Sequence, residues 1–270
     1  MGVLNVTPDS FSDGARWFDH AAAVAHGRQL IAEGADIVDV GGESTRPGAT
    51  PVPEAEELRR VVPVVEALAG EVTVSVDTRK AAVAAAALGA GATIVNDISA
   101  ELWPVAAAAG AGWIAMHCTA DPSVMASHAT YGDVVAEVRD YLVGRAEQAA
   151  AAGVSRVWID PGIGFAKTAA HNLSLLRHLD VLVATGWPVA VGTSRKGLLG
   201  ALTGEGGVPA PVDDRLEGSV ATAAWALTAG AALVRVHDVA ATAQLLALAG
   251  DRAGSALTVG RTGAALAAGA

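Results

Sequence analysis

Polar residues recur in this chain at the points where short apolar runs end. Asp160 follows Val157-Trp158-Ile159 and opens a glycine-rich turn, so its carboxylate can face a cavity instead of a hydrophobic core. Seven other apolar runs also end at polar residues, which are Asn5, Asp39 with Glu43, Asp77, Asn96 with Asp97, His117, Ser194 with Arg195 and Lys196, and His237. These side chains could together bind and orient a polar ligand.

The residue types indicate the kind of ligand. Arg46, Arg195, Lys196 and Arg235 are cations near these positions, and converging Arg and Lys side chains are typical of phosphate or carboxylate recognition. Carboxylates and amides beside them suit a planar heterocycle rich in nitrogen, whose N–H groups need acceptors and whose carbonyl needs a donor. The sequence therefore predicts a phosphorylated heterocycle as the ligand.

The apolar runs alternate regularly with helical patterns. Strands are predicted near 2–5, 35–40, 72–76, 92–95, 112–116, 156–160, 188–192 and 232–236, and helices near 20–34, 53–68, 79–89, 103–110, 131–152, 171–183, 214–229 and 238–249. Runs rich in Val, Ile and Leu are typical of parallel strands buried on both faces. Eight strand–helix units favour an α/β fold, a single (β/α)₈ barrel with its active site at the C-terminal ends of the strands. A doubly wound sheet is the alternative, because periodicity does not report closure.

Composition narrows the class of protein. The chain has 270 residues, of which 52% are hydrophobic, and a net charge of −10, which argues against a nucleic-acid or membrane-surface partner. Cys118 is the single cysteine, so an intrachain disulfide and a multi-cysteine zinc site are excluded. Without a leader-like start, we expect a cytoplasmic protein. We expect the barrel to occupy residues 1–250, followed by a poorly ordered Ala/Gly-rich tail at 251–270.

Several motifs resemble one known family. The run from Asn5 to Gly14, NVTPDSFSDG, resembles the first signature of dihydropteroate synthases, and the run from Asp39 to Gly48, DVGGESTRPG, resembles the second. Further motifs follow in that family's order, which are Ser75-Val76-Asp77-Thr78, Asn96-Asp97, Met116-His117, Asp160 to Lys167, Ser194-Arg195-Lys196 and Arg235-Val236-His237-Asp238. The resemblance covers residues 2 to 249.

This resemblance implies a transferase of folate biosynthesis, and a sulfonamide target. The reaction would join p-aminobenzoate to 6-hydroxymethyl-7,8-dihydropterin diphosphate by a dissociative, carbocation-like displacement, releasing pyrophosphate. Asp77, Lys196 and Arg46 would be catalytic, and the implied partners are these small molecules and a second copy in a homodimer. The implied binding residues are Asp77, Asn96, Asp160 and Lys196 for the pterin, Asn5, Arg46, Arg235 and His237 for the diphosphate with Mg²⁺ on Asn5, and Thr45, Pro47, Phe165 and Ser194 for p-aminobenzoate.

Other interpretations stay open. Asp97 could cap the segment that follows it, and His117 could be a structural imidazole. Lys167 is expected to be a surface or helix residue without a function, and Trp225 is expected in the core. Two rival functions are a methyltetrahydrofolate-binding methyltransferase, which would need no cationic leaving-group site, and a duplicated synthase that has lost catalysis.

Overall fold

Eight parallel strands alternate with helices in a computed structural model of the chain, which describes residues 1–7, 20–44, 50–119 and 129–253. The strands are β1 (Gly2–Asn5), β2 (Ile37–Gly41), β3 (Thr73–Asp77), β4 (Ile94–Asp97), β5 (Gly112–Met116), β6 (Arg156–Asp160), β7 (Ala190–Val191) and β8 (Leu233–Val234). The helices are α1 (His20–Ala32), α2 (Glu54–Leu68), α3 (Ala81–Gly89), α4 (Trp103–Ala108), α5 (Val134–Ala151), α6 (Ala169–Arg177), α7 (Leu179–Val183), α8 (Gly197–Thr203), α9 (Leu216–Thr228) and α10 (Val239–Ala253), with a 3₁₀ helix at Val212–Asp214.

The strands follow one another around a ring. β1 to β6 form one parallel sheet in chain order, and β7 pairs with β8 in a second. Single parallel bridges join the two sheets at both junctions, Ile159 with Val189 and Gly2 with Val236, so the ladder is not continuous at these two points. The strands are nonetheless arranged in the order of the sequence. A doubly wound sheet would reverse its strand order at one point. The predicted (β/α)₈ barrel is confirmed.

Local chemistry explains where several helices begin. Three glutamates occupy the first turn of α2, where their negative charge is stabilised by the positive end of the helix dipole. The Asp133 carboxylate accepts hydrogen bonds from the N–H groups of Val135 and Ala136 at the start of α5, and Thr168 forms a capping box with His171 at the start of α6. These caps satisfy N–H groups that a helix cannot satisfy itself.

Two apolar clusters hold the barrel together. The larger one lies between strands and helices and includes Leu4, Val65, Leu142 and Leu175. The smaller one draws on strands around the ring and on no helix, with Ile94, Ile114, Trp158 and Ala190 at its centre, so it fills the inside of the barrel. On β4 and β6 the next residue on the same face towards the C-terminal end is polar, namely Asn96 after Ile94 and Asp160 after Trp158.

The structure corrects several predicted boundaries. The helix expected over 171–183 is two helices, because the backbone of His178 leaves the helical region between α6 and α7. Helix α8, directly after the loop that carries Lys196, was not predicted. Helix α10 continues to Ala253, past the expected tail boundary at 250, while the rest of the tail, 254–270, lies outside the described residues. No helix in the described part of the chain is long and apolar enough to cross a membrane.

Candidate active site

The C-terminal ends of the strands bring the predicted pterin residues onto one rim. Asp77 is the last residue of β3 and pairs in register with Asn96 of β4. Asp160 is the last residue of β6, and Lys196 lies between β7 and α8. Parallel strands in a barrel direct all their C-terminal ends to the same face. The four residues predicted to hold the pterin therefore share one end of the barrel.

Arg235 links several of these groups. Its Nε donates to Asp39 Oδ2 at 2.6 Å, and its Nη2 donates to Asp77 Oδ2 at 2.7 Å. Asp39 Oδ2 also accepts from Asn96 Nδ2 at 2.9 Å. Asp39 is fully buried, so this guanidinium neutralises an otherwise isolated internal charge. Arg235 was predicted to bind diphosphate, and the structure adds a contact with the carboxylates on the pterin side.

Lys196 meets the loop that follows β6. Its Nζ donates to the carbonyl oxygen of Ile163 and lies 4.3 Å from the centre of the Phe165 ring. In the same loop, Gly162 N–H donates to Asp160 Oδ1 at 2.7 Å. A cation over an aromatic face is attracted by the ring quadrupole. The structure thus joins a residue predicted for the pterin to one predicted for p-aminobenzoate.

Ser194 and His237 form a second connection on the rim. Ser194 Oγ accepts from the backbone N–H of His237 at 3.0 Å and lies 3.1 Å from His237 Nδ1. Ser194 is buried. Asn5, the predicted magnesium ligand, ends β1 beside Gly41 of β2. Three further predicted site residues lie outside the described residues, which are Thr45, Arg46 and Pro47.

Burial and neighbouring charges shift the pKa values of several side chains on this rim. Burial raises the pKa of the Asp77 carboxyl to about 7, against the opposing effect of Arg235. Burial also raises the pKa of Asp160, with Lys196 opposing the rise, and burial lowers the pKa of Lys196 to about 8. Although burial disfavours its charge, Asp39 and Asp77 raise the pKa of Arg235. Strong perturbation of several titratable groups in one place is typical of a functional site.

Two residues with open interpretations make structural contacts. Asp97 is fully buried and accepts hydrogen bonds from the backbone N–H groups of Ser99, Glu101 and Leu102 and from Trp113 Nε1. The His117 imidazole is buried, lies edge-on to the Tyr141 ring at 5.0 Å and has its Nδ1 3.0 Å from Lys167 Nζ. Burial, and then the charge of Lys167, lower the pKa of His117 to about 3.

Other expectations are wrong. Lys167 lies in the loop after β6, where its Nζ is enclosed by carbonyl oxygens of that loop and of His117. Trp225 is 53% exposed instead of being in the core. Arg195, counted among the rim cations, pairs with Asp238. Asp39 was noted as polar and as the first residue of the second signature but was given no role, although it holds both Arg235 and Asn96. Its charge in the middle of an apolar strand was the one available signal.

Comparison with known proteins decides the family. A family model described as pterin binding enzyme matches residues 1–237. The dihydropteroate synthase of Mycobacterium leprae (strain TN) is 50% identical over 260 residues, which cover 93% of this chain and 92% of that protein. The chain belongs to the dihydropteroate synthase family. It is therefore a transferase of folate biosynthesis, as the sequence motifs predicted.

Solved dihydropteroate synthases share the fold along nearly the whole chain. The enzyme of Xanthomonas albilineans with 4-aminobenzoic acid superposes with a TM-score of 0.86 at 46% identity, covering 94% of this chain and 92% of that one. The same enzyme in complex with 7,8-dihydropteroate gives a TM-score of 0.83 at 43% identity, with 94% and 92% covered. This chain and these dihydropteroate synthases thus share one fold.

Proposed function

We propose that this rim condenses 6-hydroxymethyl-7,8-dihydropterin diphosphate with p-aminobenzoate by a dissociative displacement. The observation that carries the proposal is the meeting of residues from five separate strands or strand ends at one face of the barrel, which are Asp77, Asn96, Asp160, Lys196 and Arg235. The complexes of the Xanthomonas albilineans enzyme with 4-aminobenzoic acid and with 7,8-dihydropteroate support the same substrate and the same product here.

The pterin would be held by complementary hydrogen bonds. Asp77 and Asp160 present carboxylate oxygens to the N–H groups of the heterocycle, and Lys196 presents N–H donors to its carbonyl oxygen. Asn96 Nδ2 already donates to Asp39, which leaves the Asn96 carbonyl oxygen as an acceptor for the ligand. Each buried donor of the ring then has an acceptor, which avoids the cost of an unpaired polar group.

The bond from the pterin methylene carbon to oxygen breaks first. Its electron pair leaves with pyrophosphate, and a cation delocalised into the pterin remains. The carboxylates of Asp77 and Asp160 stabilise that positive charge where it develops. The amine nitrogen of p-aminobenzoate then forms the new carbon–nitrogen bond and loses a proton. No covalent enzyme intermediate is needed.

Cationic and amide groups would hold the diphosphate. Arg235 donates to carboxylates through Nε and Nη2, so its Nη1 would donate to a phosphoryl oxygen. His237 and Arg46 are the other side chains predicted to bind the diphosphate. No group of three His, Cys, Asp or Glu side chains in the described ranges could hold a metal by itself. Mg²⁺ commonly uses few protein ligands together with phosphate oxygens and water, so the amide oxygen of Asn5 fits it. When bound, Mg²⁺ would neutralise charge on the leaving group.

The p-aminobenzoate ring would lie beside Phe165 and Ser194. The face of Phe165 not occupied by Lys196 supplies an apolar contact, and Ser194 supplies a hydroxyl already oriented by His237. Thr45 and Pro47 belong to the predicted set on the grounds of the family resemblance.

We propose that the protein acts as a cytoplasmic homodimer. Large apolar side chains between residues 202 and 248 are exposed, which are Leu202, Val208, Val212, Leu216, Trp225 and Leu248. They lie on or next to α8, α9 and α10, and exposed apolar groups that concentrate in one region mark interaction surfaces. Sedimentation velocity should give twice the chain mass, and the Trp225→Glu variant should shift it towards the single-chain mass.

The decisive experiment measures pyrophosphate release and dihydropteroate formation by the purified protein with both substrates. Lys196→Met should reduce turnover at least about a hundredfold, the effect expected for one preorganised donor. Arg156→Met is the matched control, because Arg156 begins β6 at the opposite end of the barrel, and its turnover should stay at the wild-type level. Pyrophosphate release that does not depend on p-aminobenzoate, or none at all, would contradict the proposal.

A further inference from the structure

The amine of Lys167 is enclosed by backbone carbonyls. Its Nζ lies 3.1 Å from Gly162 O, 3.0 Å from Phe165 O, 3.2 Å from His117 O and 3.0 Å from His117 Nδ1. Three of these partners are backbone carbonyl oxygens that accept from the amine, the fourth is an imidazole nitrogen whose role depends on the tautomer, and none is a carboxylate. Two belong to the loop between β6 and α6, and two belong to the end of β5. Lys167 therefore ties this loop to the neighbouring strand.

The loop needs such a fastening because its backbone is unusual. Gly162, Gly164 and Ala166 all have positive φ, at 64°, 86° and 46°. A left-handed conformation is unfavourable for alanine and persists only where the surroundings enforce it. A Cβ at Gly162 would lie 2.1 Å from His117 O, so only glycine allows the loop to approach β5 this closely. The Tyr131 hydroxyl also donates to Ala166 O at 3.0 Å.

The other side of the same loop supports the active site. Gly162 N–H holds Asp160 Oδ1, Ile163 O accepts from Lys196 Nζ, and the Phe165 ring lies against that amine. Lys167 thus binds the carbonyls of Gly162 and Phe165. Gly162 contacts Asp160, and Phe165 contacts Lys196. A small displacement of this loop would move both groups.

We infer that Lys167 is a positioning residue for the condensation. It acts through the β6–α6 loop, setting the orientation of Asp160, Lys196 and Phe165 without touching a substrate. The protonated amine has three N–H donors and the neutral amine has two, so either form holds at least two of the three backbone carbonyls. The inference rests on the proposed function, because its readout is the binding of the two substrates.

The test compares the KM values of both substrates in two variants. One variant lacks the Lys167 amine, and the other lacks a side chain of the hydrophobic core. Lys167→Met keeps the length of the side chain and removes its donors. We expect KM for the pterin diphosphate and for p-aminobenzoate to rise at least about tenfold, about 1.4 kcal/mol at 25 °C, and kcat to fall as well, because Asp160 and Lys196 also act in turnover. Leu182→Ala removes a fully buried side chain on α7 and serves as the destabilised control, with both KM values unchanged.

The outcomes separate the two proposals. An inactive wild-type protein would remove the proposed function, whereas an active wild type with wild-type KM values in Lys167→Met would overturn the inference. Equal KM increases in Leu182→Ala would also overturn it, because general destabilisation would then explain the effect. If Lys167→Met does not fold, Lys167→Leu, which also has no N–H donor but a different side-chain shape, replaces it. An increase in its KM values of more than threefold would support the inference, and wild-type values would overturn it.

Discussion

Among single residues, Arg235 and Asp39 show how the barrel interior handles charge. The two side chains are 196 positions apart in sequence and meet at 2.6 Å. Asp39 is fully buried, whereas the Arg235 side chain is 23% exposed, so one end of the guanidinium faces the rim. A buried carboxylate with this partner is tolerated, and one without it would be costly.

Replacing Asp39 by Asn should therefore destabilise the protein. The change leaves Arg235 with Asp77 as its one charged partner within the described ranges, and breaking a buried pair costs about 3–5 kcal/mol. Urea unfolding should show this loss. Glu71→Gln, which breaks the exposed pair between Arg28 and Glu71, is the control and should change the unfolding midpoint little. Equal midpoints for the two variants would contradict the assigned role of Asp39.

Asp160 gives the most direct test of the pterin site. Asp160→Asn can still accept the Gly162 N–H through its carbonyl oxygen, but it places an NH₂ donor where the pterin needs an acceptor. A buried unpaired donor costs about 1–3 kcal/mol, so pterin affinity and turnover should fall at least about tenfold in a folded protein. Isothermal calorimetry and turnover assays measure both. Asp36→Asn, an exposed carboxylate before β2 at the opposite end, should behave like wild type.

Among the elements, the connection from β4 to α4 depends on one carboxylate. Asp97 Oδ1 accepts from the backbone and hydroxyl of Ser99, and Oδ2 accepts from Glu101 N, Leu102 N and Trp113 Nε1 at 2.6 to 3.2 Å. Every partner is a donor. Both side-chain oxygens of Asp97 must therefore act as acceptors, as the two oxygens of an ionised carboxylate do.

Asp97→Asn should consequently lower stability without a direct effect on catalysis. The new NH₂ group would face N–H donors, at about 1–3 kcal/mol for each one left unpaired. We expect the free energy of unfolding to fall by at least about 2 kcal/mol, while KM values of the folded enzyme stay unchanged. Asp133→Asn is the matched control, since Asn caps a helix as well as Asp does. A large increase in KM would place Asp97 in the substrate site instead.

Across the whole molecule, two buried amines make stability depend on pH. Burial lowers the pKa of Lys167 to about 7 and that of Lys196 to about 8, from an ordinary value of 10.5. Between pH 8 and 10 the unfolded chain keeps both protons while the folded protein has largely lost them. The unfolded state thus binds more protons, and the free energy of unfolding rises with pH in this window.

Unfolding in urea at several pH values tests this expectation. Stability should increase from pH 8 to 10, and the slope should be smaller in Lys167→Met, because one of the two titrating groups is gone. The difference between the two slopes separates the lysine effect from the general repulsion of an acidic chain. Identical slopes would show that Lys167 titrates near its ordinary pKa in the folded protein.

Metal dependence is a property of the complete enzyme–substrate complex. With Asn5 as the proposed protein ligand, Mg²⁺ would bind chiefly through the diphosphate, and its removal should not affect the fold. Excess chelator should therefore abolish turnover while the circular dichroism spectrum and the melting temperature stay the same. Turnover that persists in metal-free protein under chelation would exclude the metal from the reaction.

The sequence by itself determined the architecture and most of the rim. Strand and helix periods differ, so their alternation could be followed along the chain, and strands β1 to β6 were placed to within about two residues. Asp77, Asn96 and Asp160 were identified because a polar residue that ends an apolar strand has a defined position in a barrel. The order of the motifs then gave the family, which the relatives confirm.

Only the tertiary structure decided which polar groups serve one another. The pairing of Asp39 with Arg235, the carbonyl surroundings of Lys167 and the donors around Asp97 all join residues from different elements. Local sequence sets backbone preferences and the period of burial, but it does not specify which side chains meet across a closed ring. Lys167 looked like a surface residue because an isolated lysine favours water, and it is enclosed because the backbone carbonyls of Gly162, Phe165 and His117 converge on its amine.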